Sequence, residues 1–216
     1  MTFKAAFFDM DGLFLDSEPQ WHQSQQELCA RYGYSWDDED QRICIGGPLS
    51  RVGIYISQMC AHDMSGADVV EELTQLMLVK LSSKATLMPG ALDAVNRVRE
   101  IMPVALVSAS PRNLMDAALS TLPDEFFSFT ISADDVERTK PFPDPYLEAA
   151  KRMSVEPGEC VVFEDSLTGI SSAQEAGCAV IAVPHYVEVI ESRSVKVAKS
   201  LHDVNAAILQ DFYIGL

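Results

Sequence analysis

Short apolar runs alternate with stretches of helical periodicity along most of this chain. The runs at 4–8 and 104–107 are too short for helices and are typical of strands buried on both faces of a parallel sheet. Further strands are predicted at 129–132, 160–163 and 179–183. Helices are predicted between them, at 91–100, 111–122, 146–153 and in the stretch that ends at Gly177. This alternation predicts an α/β fold with right-handed crossovers.

Residues 17–83 interrupt the alternation with a long stretch that is helical in pattern. A first helix is predicted to end near Gly33, and a later helix has a core-facing stripe formed by Val69, Val70, Leu73, Leu76, Met77 and Val79. We therefore divide the chain into a core of residues 1–16 and 84–216 and a helical insert of residues 17–83. Helical inserts that follow a functional strand commonly act as lids.

Three polar residues stand shortly before a proline at a predicted helix start. They are Ser17, Ser110 and Asp144. Proline suits the first turn of a helix, and short polar side chains suit the position before it. We predict that each of the three caps the helix that follows it.

Composition excludes several kinds of partner. A net charge of −16 over 216 residues argues against nucleic acid and anionic membranes, so an anionic substrate must be held by a local cluster of donors. No apolar run approaches the roughly 20 residues that span a bilayer, and no signal peptide is recognisable. The five cysteines are scattered without a CxxC pair, which is typical of reduced thiols in a cytoplasmic protein.

Candidate functional residues fall at the ends of the predicted strands, which share one edge of a parallel sheet. The residues are Asp9, Asp11 and Gly12, then Ser108, Ala109 and Ser110, then Lys140, and finally Glu164, Asp165 and Ser166. Asp9 and Asp11 repel each other unless a cation sits between them, and Gly12 indicates a turn. The first strand end therefore predicts a Mg²⁺ site, an acid/base pair, or both.

The carboxylates at this edge suit phosphoryl transfer. Asp9 can attack phosphorus as a nucleophile, and Asp11 can protonate the leaving oxygen and then activate water. Mg²⁺ prefers carboxylate and water oxygens, so Asp9 and Asp165 would hold it, with Glu164 or water completing the shell. The metal would neutralise charge on the phosphoryl oxygens.

The remaining residues at the edge suit an anion. Ser108 and the backbone N–H groups that begin the next helix can form a cradle for a phosphate. Lys140 adds a compact positive charge, either for the phosphate or for the nucleophile.

These segments together resemble the haloacid dehalogenase-like hydrolases, in the branch that holds β-phosphoglucomutase and small sugar-phosphate phosphatases. The matching segments are residues 9–18, 108–110, 140–144 and 164–170. The resemblance implies a Rossmann-like core, a four-helix cap, Mg²⁺ and an aspartyl-phosphate intermediate. It also implies roles for single residues: Asp9 as nucleophile and metal ligand, Asp11 as general acid/base with a metal-bound carbonyl, Ser108, Ala109 and Lys140 as phosphate-binding, and Asp165 with Glu164 at the metal.

Other chemistries on related scaffolds fit less well. A dehalogenase of this fold works without a metal and lacks the second acid, so Asp11 argues against it. A signalling receiver domain would have no helical insert, and an inactive binding protein would lack one of the motif residues.

A sugar-phosphate mutase is the serious alternative to a phosphatase. β-Phosphoglucomutase-like chains have a histidine where this chain has Trp21, and His22 lies one residue farther on. We therefore expect a phosphatase for small phosphorylated metabolites, most of all sugar phosphates. Trp21 is expected to pack against the substrate or the cap hinge, and the protein is expected to be a monomer. Gly46, Gly47 and Arg51 resemble the substrate-facing cap segment loosely, and Arg51 is a candidate specificity contact.

Overall fold

A computed structural model describes residues 2–45, 48–83, 85–122, 126–185 and 187–215. Its centre is a six-stranded sheet in the order β3-β2-β1-β4-β5-β6, with every neighbouring pair parallel. The strands are β1 Ala5–Phe8, β2 Val104–Val107, β3 Thr130–Ile131, β4 Cys160–Glu164, β5 Ala179–Ala182 and β6 Val195–Val197. The five predicted strands are confirmed. The sixth was not predicted, because three residues with a half-buried Lys196 make no apolar run.

Nine helices are described, five of them around the sheet. They are α1 Glu18–Arg31, α2 Asp38–Cys44, α3 Leu49–Met59, α4 Gly66–Ser83, α5 Ala91–Arg99, α6 Arg112–Leu119, α7 Asp144–Met153, α8 Leu167–Ala176 and α9 Ala206–Gly215. Successive strand side chains point to opposite faces, so β1 contributes Phe8 to the core under α5, α6 and α9, and Phe7 to the core under α7 and α8. This arrangement confirms the predicted Rossmann-like α/β class. No described helix has the length and apolarity needed to cross a lipid bilayer.

The inserted helices α1–α4 have an apolar cluster of their own, which includes Leu28, Val52, Ile56 and Leu73. Trp21 packs against both this cluster and the larger core. Of the predicted stripe on α4, Val69, Leu73 and Met77 are buried, but Val79 is 73% exposed and was wrongly included. The predicted boundary between core and insert stays a prediction, and residue 84 lies outside the described ranges.

Of the three predicted N-caps, only Ser17 lies at an N-cap position, that of α1, and its side chain makes no capping hydrogen bond. The predictions for Ser110 and Asp144 are wrong, because the residues at the N-cap positions of α6 and α7 are prolines. The Ser17 and Ser110 hydroxyls donate to the carboxylate of Asp11, each over 2.7 Å. A charged acceptor makes a stronger hydrogen bond than a neutral one, which favours this orientation of the two hydroxyls.

The order of the strands places a crevice at one edge of the sheet. From β1 the chain runs to β2 and β3 on one side, and β4, β5 and β6 extend the other side. The strand order therefore reverses at β1, and ligands of open α/β sheets bind beside the carboxyl ends of strands at such a point. The loop after β1 begins there with Asp9.

Candidate active site

A cavity of about 400 Å³ lies between this edge of the sheet and the inserted helices. Small-molecule sites commonly have such a volume. The residues of the core that line it include Asp9, Asp11, Ser108, Ala109, Ser110, Thr139, Lys140 and Asp165. The structure therefore brings the predicted site residues together, although Gly12 and Glu164 do not line the cavity. Glu164 lies behind the cavity wall with no exposed surface.

Lys140 joins the two buried acids. Its ammonium group donates to Asp9 Oδ1 over 2.5 Å, to Glu164 Oε1 over 2.7 Å and to the Val107 carbonyl over 2.9 Å, which uses its three protons. Burial alone would lower the pKa of Lys140, but the charges of Asp9 and Glu164 outweigh it and raise that pKa. The lysine is therefore a charged, fully engaged group that holds the carboxylate of Asp9 in place.

Glu164 accepts hydrogen bonds on both oxygens. Oε1 also receives the Tyr146 hydroxyl over 2.9 Å, and Oε2 receives the Asp165 and Ser166 backbone N–H groups and the Ser166 hydroxyl. A β-carbon at Gly169 would lie 1.7 Å from Oε1, so only glycine fits beside this carboxylate. Glu164 therefore anchors the loop that carries Asp165.

Three hydroxyl groups hold the carboxylate of Asp11. Ser17 donates to Oδ1, while Ser110 and Ser108 donate to Oδ2 over 2.7 and 3.1 Å. The Ser108 hydroxyl in turn accepts from the Ser110 backbone N–H over 2.9 Å. Asp11 is half-buried and faces the cavity, so its carboxylate has a fixed orientation towards any ligand there.

The buried acids form a group that fits a divalent cation. Asp9, Glu164 and Asp165 each offer an oxygen, and these oxygens lie within 4.8 Å of one another. Asp165 Oδ1 is buried without a hydrogen-bond partner, which leaves a lone pair for a metal ion. Carboxylates are the ligands that Mg²⁺ prefers in proteins. The carboxylate of Asp11 is not in this group, and its predicted carbonyl contact with the metal stays a prediction.

The same crowding raises the pKa values of Asp9 and Asp165. Burial raises the pKa of Asp9 to about 8, with the charges of Glu164 and Asp11 adding to it and that of Lys140 opposing it. Burial and the charges of Asp9 and Glu164 also raise the pKa of Asp165 well above its usual range. A bound cation would relieve this repulsion.

Gly12 allows the acids to approach one another. Its φ is +85°, a conformation that suits glycine, and a β-carbon there would lie 2.3 Å from Asp165 Oδ2. The predicted turn at Gly12 is therefore present. Because glycine has no β-carbon, this position also leaves room for the carboxylate of Asp165, which follows β4.

The inserted helices form the opposite wall of the cavity. Its polar side chains are Glu18, Gln25, Gln41 and Ser50, set among apolar ones such as Trp21 and Val52. Burial and the charges of Asp11 and Asp16 raise the pKa of Glu18 to about 7. Arg51, the candidate specificity contact, does not line the cavity, and its guanidinium donates to the carbonyls of Cys44 and Ile45, which do. Its role in specificity stays a prediction. Gly46 and Gly47 lie outside the described residues.

Sequence reasoning missed several groups at the site. The hydroxyls of Ser17 and Ser110 were interpreted as caps, and Tyr146, Thr139 and Gln25 were not singled out. Ser17 lies inside the motif that carries Asp11, which is a signal that could have found it. Tyr146 and Gln25 lie on amphipathic helices, where a buried aromatic or amide gives no sign of which cavity it faces.

Comparison with known proteins identifies the family. Residues 6–183 match the family of haloacid dehalogenase-like hydrolases. The chain is 32% identical over 177 residues to the fructose-1-phosphate phosphatase YqaB of Escherichia coli, covering 82% of this chain and 94% of that protein. It is 31% identical over 188 residues to hexitol phosphatase B of the same species, covering 83% of each. The crystal structure of β-phosphoglucomutase from Clostridium difficile shares the fold, with a TM-score of 0.81 at 22% identity over 98% of this chain and 97% of that one.

The chain belongs to the haloacid dehalogenase-like hydrolases, since the match covers most of its length. Within that family it is a phosphoric monoester hydrolase, as the curated relatives are. Both statements confirm what the resemblance of the strand-end motifs implied.

Proposed function

We propose that the protein is a Mg²⁺-dependent phosphatase that hydrolyses small sugar phosphates through an aspartyl phosphate on Asp9. The observation that carries the proposal is the convergence of four strand ends on one cavity. Asp9, Asp11, Ser108, Lys140 and Asp165 line the same space although they are spread over more than 150 residues of sequence. Each offers the group that its step in phosphoryl transfer needs.

In the first step, a carboxylate oxygen of Asp9 attacks phosphorus, and the bond to the leaving oxygen breaks. Lys140 already donates to Oδ1 of Asp9, which orients the side chain for that attack. Asp11 acts as the general acid and gives a proton to the leaving alkoxide, while the hydroxyls of Ser17 and Ser110 hold it in position. A serine hydroxyl has one proton, so the Ser108 hydroxyl exchanges its 3.1 Å bond to Asp11 for a phosphoryl oxygen, which it binds together with the backbone N–H of Ala109.

In the second step, Asp11 takes a proton from water, and the water oxygen attacks phosphorus. The bond between phosphorus and Asp9 breaks, which releases inorganic phosphate and restores the carboxylate. Bound Mg²⁺ would neutralise the charge of the phosphoryl oxygens. Asp9 and Asp165 would hold it, while the five hydrogen bonds accepted by Glu164 favour water over that residue as a further ligand.

The curated relatives support a sugar phosphate as substrate, because two of them are named for fructose 1-phosphate and hexitol phosphate. The position of Trp21 supports hydrolysis over phosphoryl transfer to a second sugar. Trp21 lines the cavity, whereas His22 does not, so the imidazole that a mutase would use is turned away. A mutase must keep water from its phosphoenzyme, and no histidine is among the described residues that line the cavity.

Two further properties belong to the proposal. All five cysteines are free, which fits the reducing environment of the cytoplasm. The proposal also includes a monomeric enzyme.

The test is a screen of phosphorylated metabolites for phosphate release in Mg²⁺, with D9N as the inactive control. We expect phosphate release from sugar monophosphates by the wild-type protein alone. A second assay supplies β-glucose 1-phosphate with a trace of the 1,6-bisphosphate and follows both products. Rapid formation of glucose 6-phosphate with little free phosphate would establish the mutase, and no turnover of any ester would reject phosphoryl transfer altogether.

A further inference from the structure

The acceptor oxygen of a buried carboxamide on the cap wall of the cavity has no partner among the described residues. Gln25 lies on α1, is 4% exposed and lines the cavity opposite the catalytic strand ends. Its Oε1 is buried and accepts no hydrogen bond. A buried polar atom without a partner is unfavourable, so such an atom at a binding cavity points to a ligand that satisfies it.

The other polar groups of that wall are already engaged or differ in charge. Gln41 Oε1 accepts the indole N–H of Trp36 over 3.0 Å, so its acceptor is used within the cap. Glu18 is a carboxyl group beside the acids of the core. Ser50 is uncharged but exposed, so Gln25 is the buried, uncharged side chain on this wall whose acceptor is left to bind the organic part of a substrate.

The charge of the wall indicates what that organic part carries. Among the described residues that line the cavity, Lys140 is the only lysine or arginine, and its three protons are already donated to protein oxygens. Arg51 does not line the cavity, and its guanidinium donates to the Cys44 and Ile45 carbonyls. A second phosphate or a carboxylate on the substrate would meet no cation on the cap side and would face Glu18. A hydroxyl group needs only a neutral acceptor or donor, which a carboxamide supplies.

We propose that Gln25 is a specificity-determining residue that hydrogen-bonds a hydroxyl of an uncharged, polyhydroxylated leaving group. The inference rests on the proposed phosphatase function and narrows its substrates to monophosphate esters of neutral polyols and sugars. Gln25 lies on the cap wall and makes no hydrogen bond with the described strand-end residues, so it acts on recognition and not on the chemical step.

The experiment compares Q25M with wild type on fructose 1-phosphate, glucitol 6-phosphate and phenyl phosphate in Mg²⁺. Methionine keeps the length of the side chain and removes its hydrogen-bonding groups. The matched control is Q26M, because Gln26 is exposed on the same helix and does not line the cavity. We expect Q25M to lower kcat/KM for a sugar or polyol phosphate by about 10- to 100-fold, which is about 1.4 to 2.7 kcal/mol. Phenyl phosphate, which has no hydroxyl, should change less than threefold, and Q26M should behave as wild type.

An equal loss on all esters, or no loss on any, would overturn the inference while leaving the phosphatase proposal standing. A wild-type protein that releases phosphate from none of the esters would instead reject the phosphatase proposal and this inference together. A measurement on wild type alone guards against misfolding of Q25M: monodeoxy analogues of the preferred sugar phosphate should include one with a tenfold lower kcat/KM. If no single deoxy position matters, or if fructose 1,6-bisphosphate is hydrolysed as well as fructose 1-phosphate, the assignment of a neutral hydroxyl is wrong.

Discussion

Replacement of Gly12 by alanine separates the contribution of backbone conformation from that of space at the active site. Gly12 has φ +85°, and its β-carbon would lie 2.3 Å from Asp165 Oδ2. Gly33 has a similar φ of +73° but nothing within 4 Å of the position of a β-carbon. The G33A variant therefore has the conformational cost alone, whereas G12A has that cost and a collision with a proposed metal ligand.

The magnitudes follow from these two terms. A left-handed conformation costs a non-glycine residue about 1–2 kcal/mol, which corresponds to a fall in Tm of about 2–8 °C for a chain of this size. We expect G33A to show that loss and no change in activity. In G12A, the carboxylate of Asp165 must also move, so we expect at least the same fall in Tm together with a loss of Mg²⁺ binding.

The assay is thermal unfolding of wild type, G12A and G33A in EDTA and in a series of Mg²⁺ concentrations. At free Mg²⁺ about 100-fold above Kd, binding should stabilise the wild type and G33A by about 2.7 kcal/mol, which is a rise in Tm of about 5–11 °C. G12A should show little of this rise, and its kcat/KM for phenyl phosphate should fall by about 10-fold or more. A G12A variant that gains as much from Mg²⁺ as G33A would refute the role given to this glycine.

Three further predictions concern the site and the cap. D9N should retain the wild-type circular dichroism and lose activity by several orders of magnitude, because an amide is a poor nucleophile; more than a few per cent of residual activity would reject Asp9 as the attacking group. Excess EDTA should abolish phosphate release and Mg²⁺ should restore it, with Ca²⁺ a poor substitute because it takes longer bonds and more ligands; full activity in EDTA would revive a metal-free reaction. Asp40 is 3% exposed and accepts hydrogen bonds from the Tyr34 and Tyr55 hydroxyls and from the Asp37 backbone N–H. In urea unfolding, D40N should therefore have a free energy of unfolding about 1–3 kcal/mol below that of wild type. The exposed control D38N should show no such loss. Burial would raise the pKa of Asp40, but these hydrogen bonds hold that pKa below its usual 3.8. The contribution of Asp40 to the stability of the folded state is therefore present at neutral pH and is lost as the pH falls through the lowered pKa. A D40N variant that stays less stable than wild type at more acidic pH would contradict this.

The sheet could be predicted because each buried strand is a short apolar run with a helix after it. The strand prediction also implied that the residues at the strand ends lie close together, since the carboxyl ends of parallel strands share one edge. The edge strand β6 could not be predicted, because it has no apolar run. Val79, at the end of the predicted apolar stripe of α4, is exposed, so the stripe does not extend to that residue.

The partners of the site residues were harder to predict than the residues themselves. The hydroxyl of Ser110 lies 99 positions from the carboxylate of Asp11 that it binds, so a local pattern favours the wrong function, a helix cap. Lys140 is predicted to face either the phosphate or the nucleophile; the structure shows its contacts with Asp9 and Glu164, and phosphate binding by Lys140 stays a prediction. Gln25 shows the same limit, because its neighbours become known only when the cap helices are packed against the sheet.

The central claim is that phosphate passes through Asp9. The most direct measurement is mass spectrometry of peptides from wild-type protein that is acid-quenched within the first turnovers of a sugar phosphate in Mg²⁺. The account predicts a peptide containing Asp9 that carries one phosphoryl group, is sensitive to hydroxylamine, and is absent in EDTA and in D9N. Phosphate release at the full rate without such a peptide, or a phosphoryl group found on Ser108 or Ser110, would contradict it.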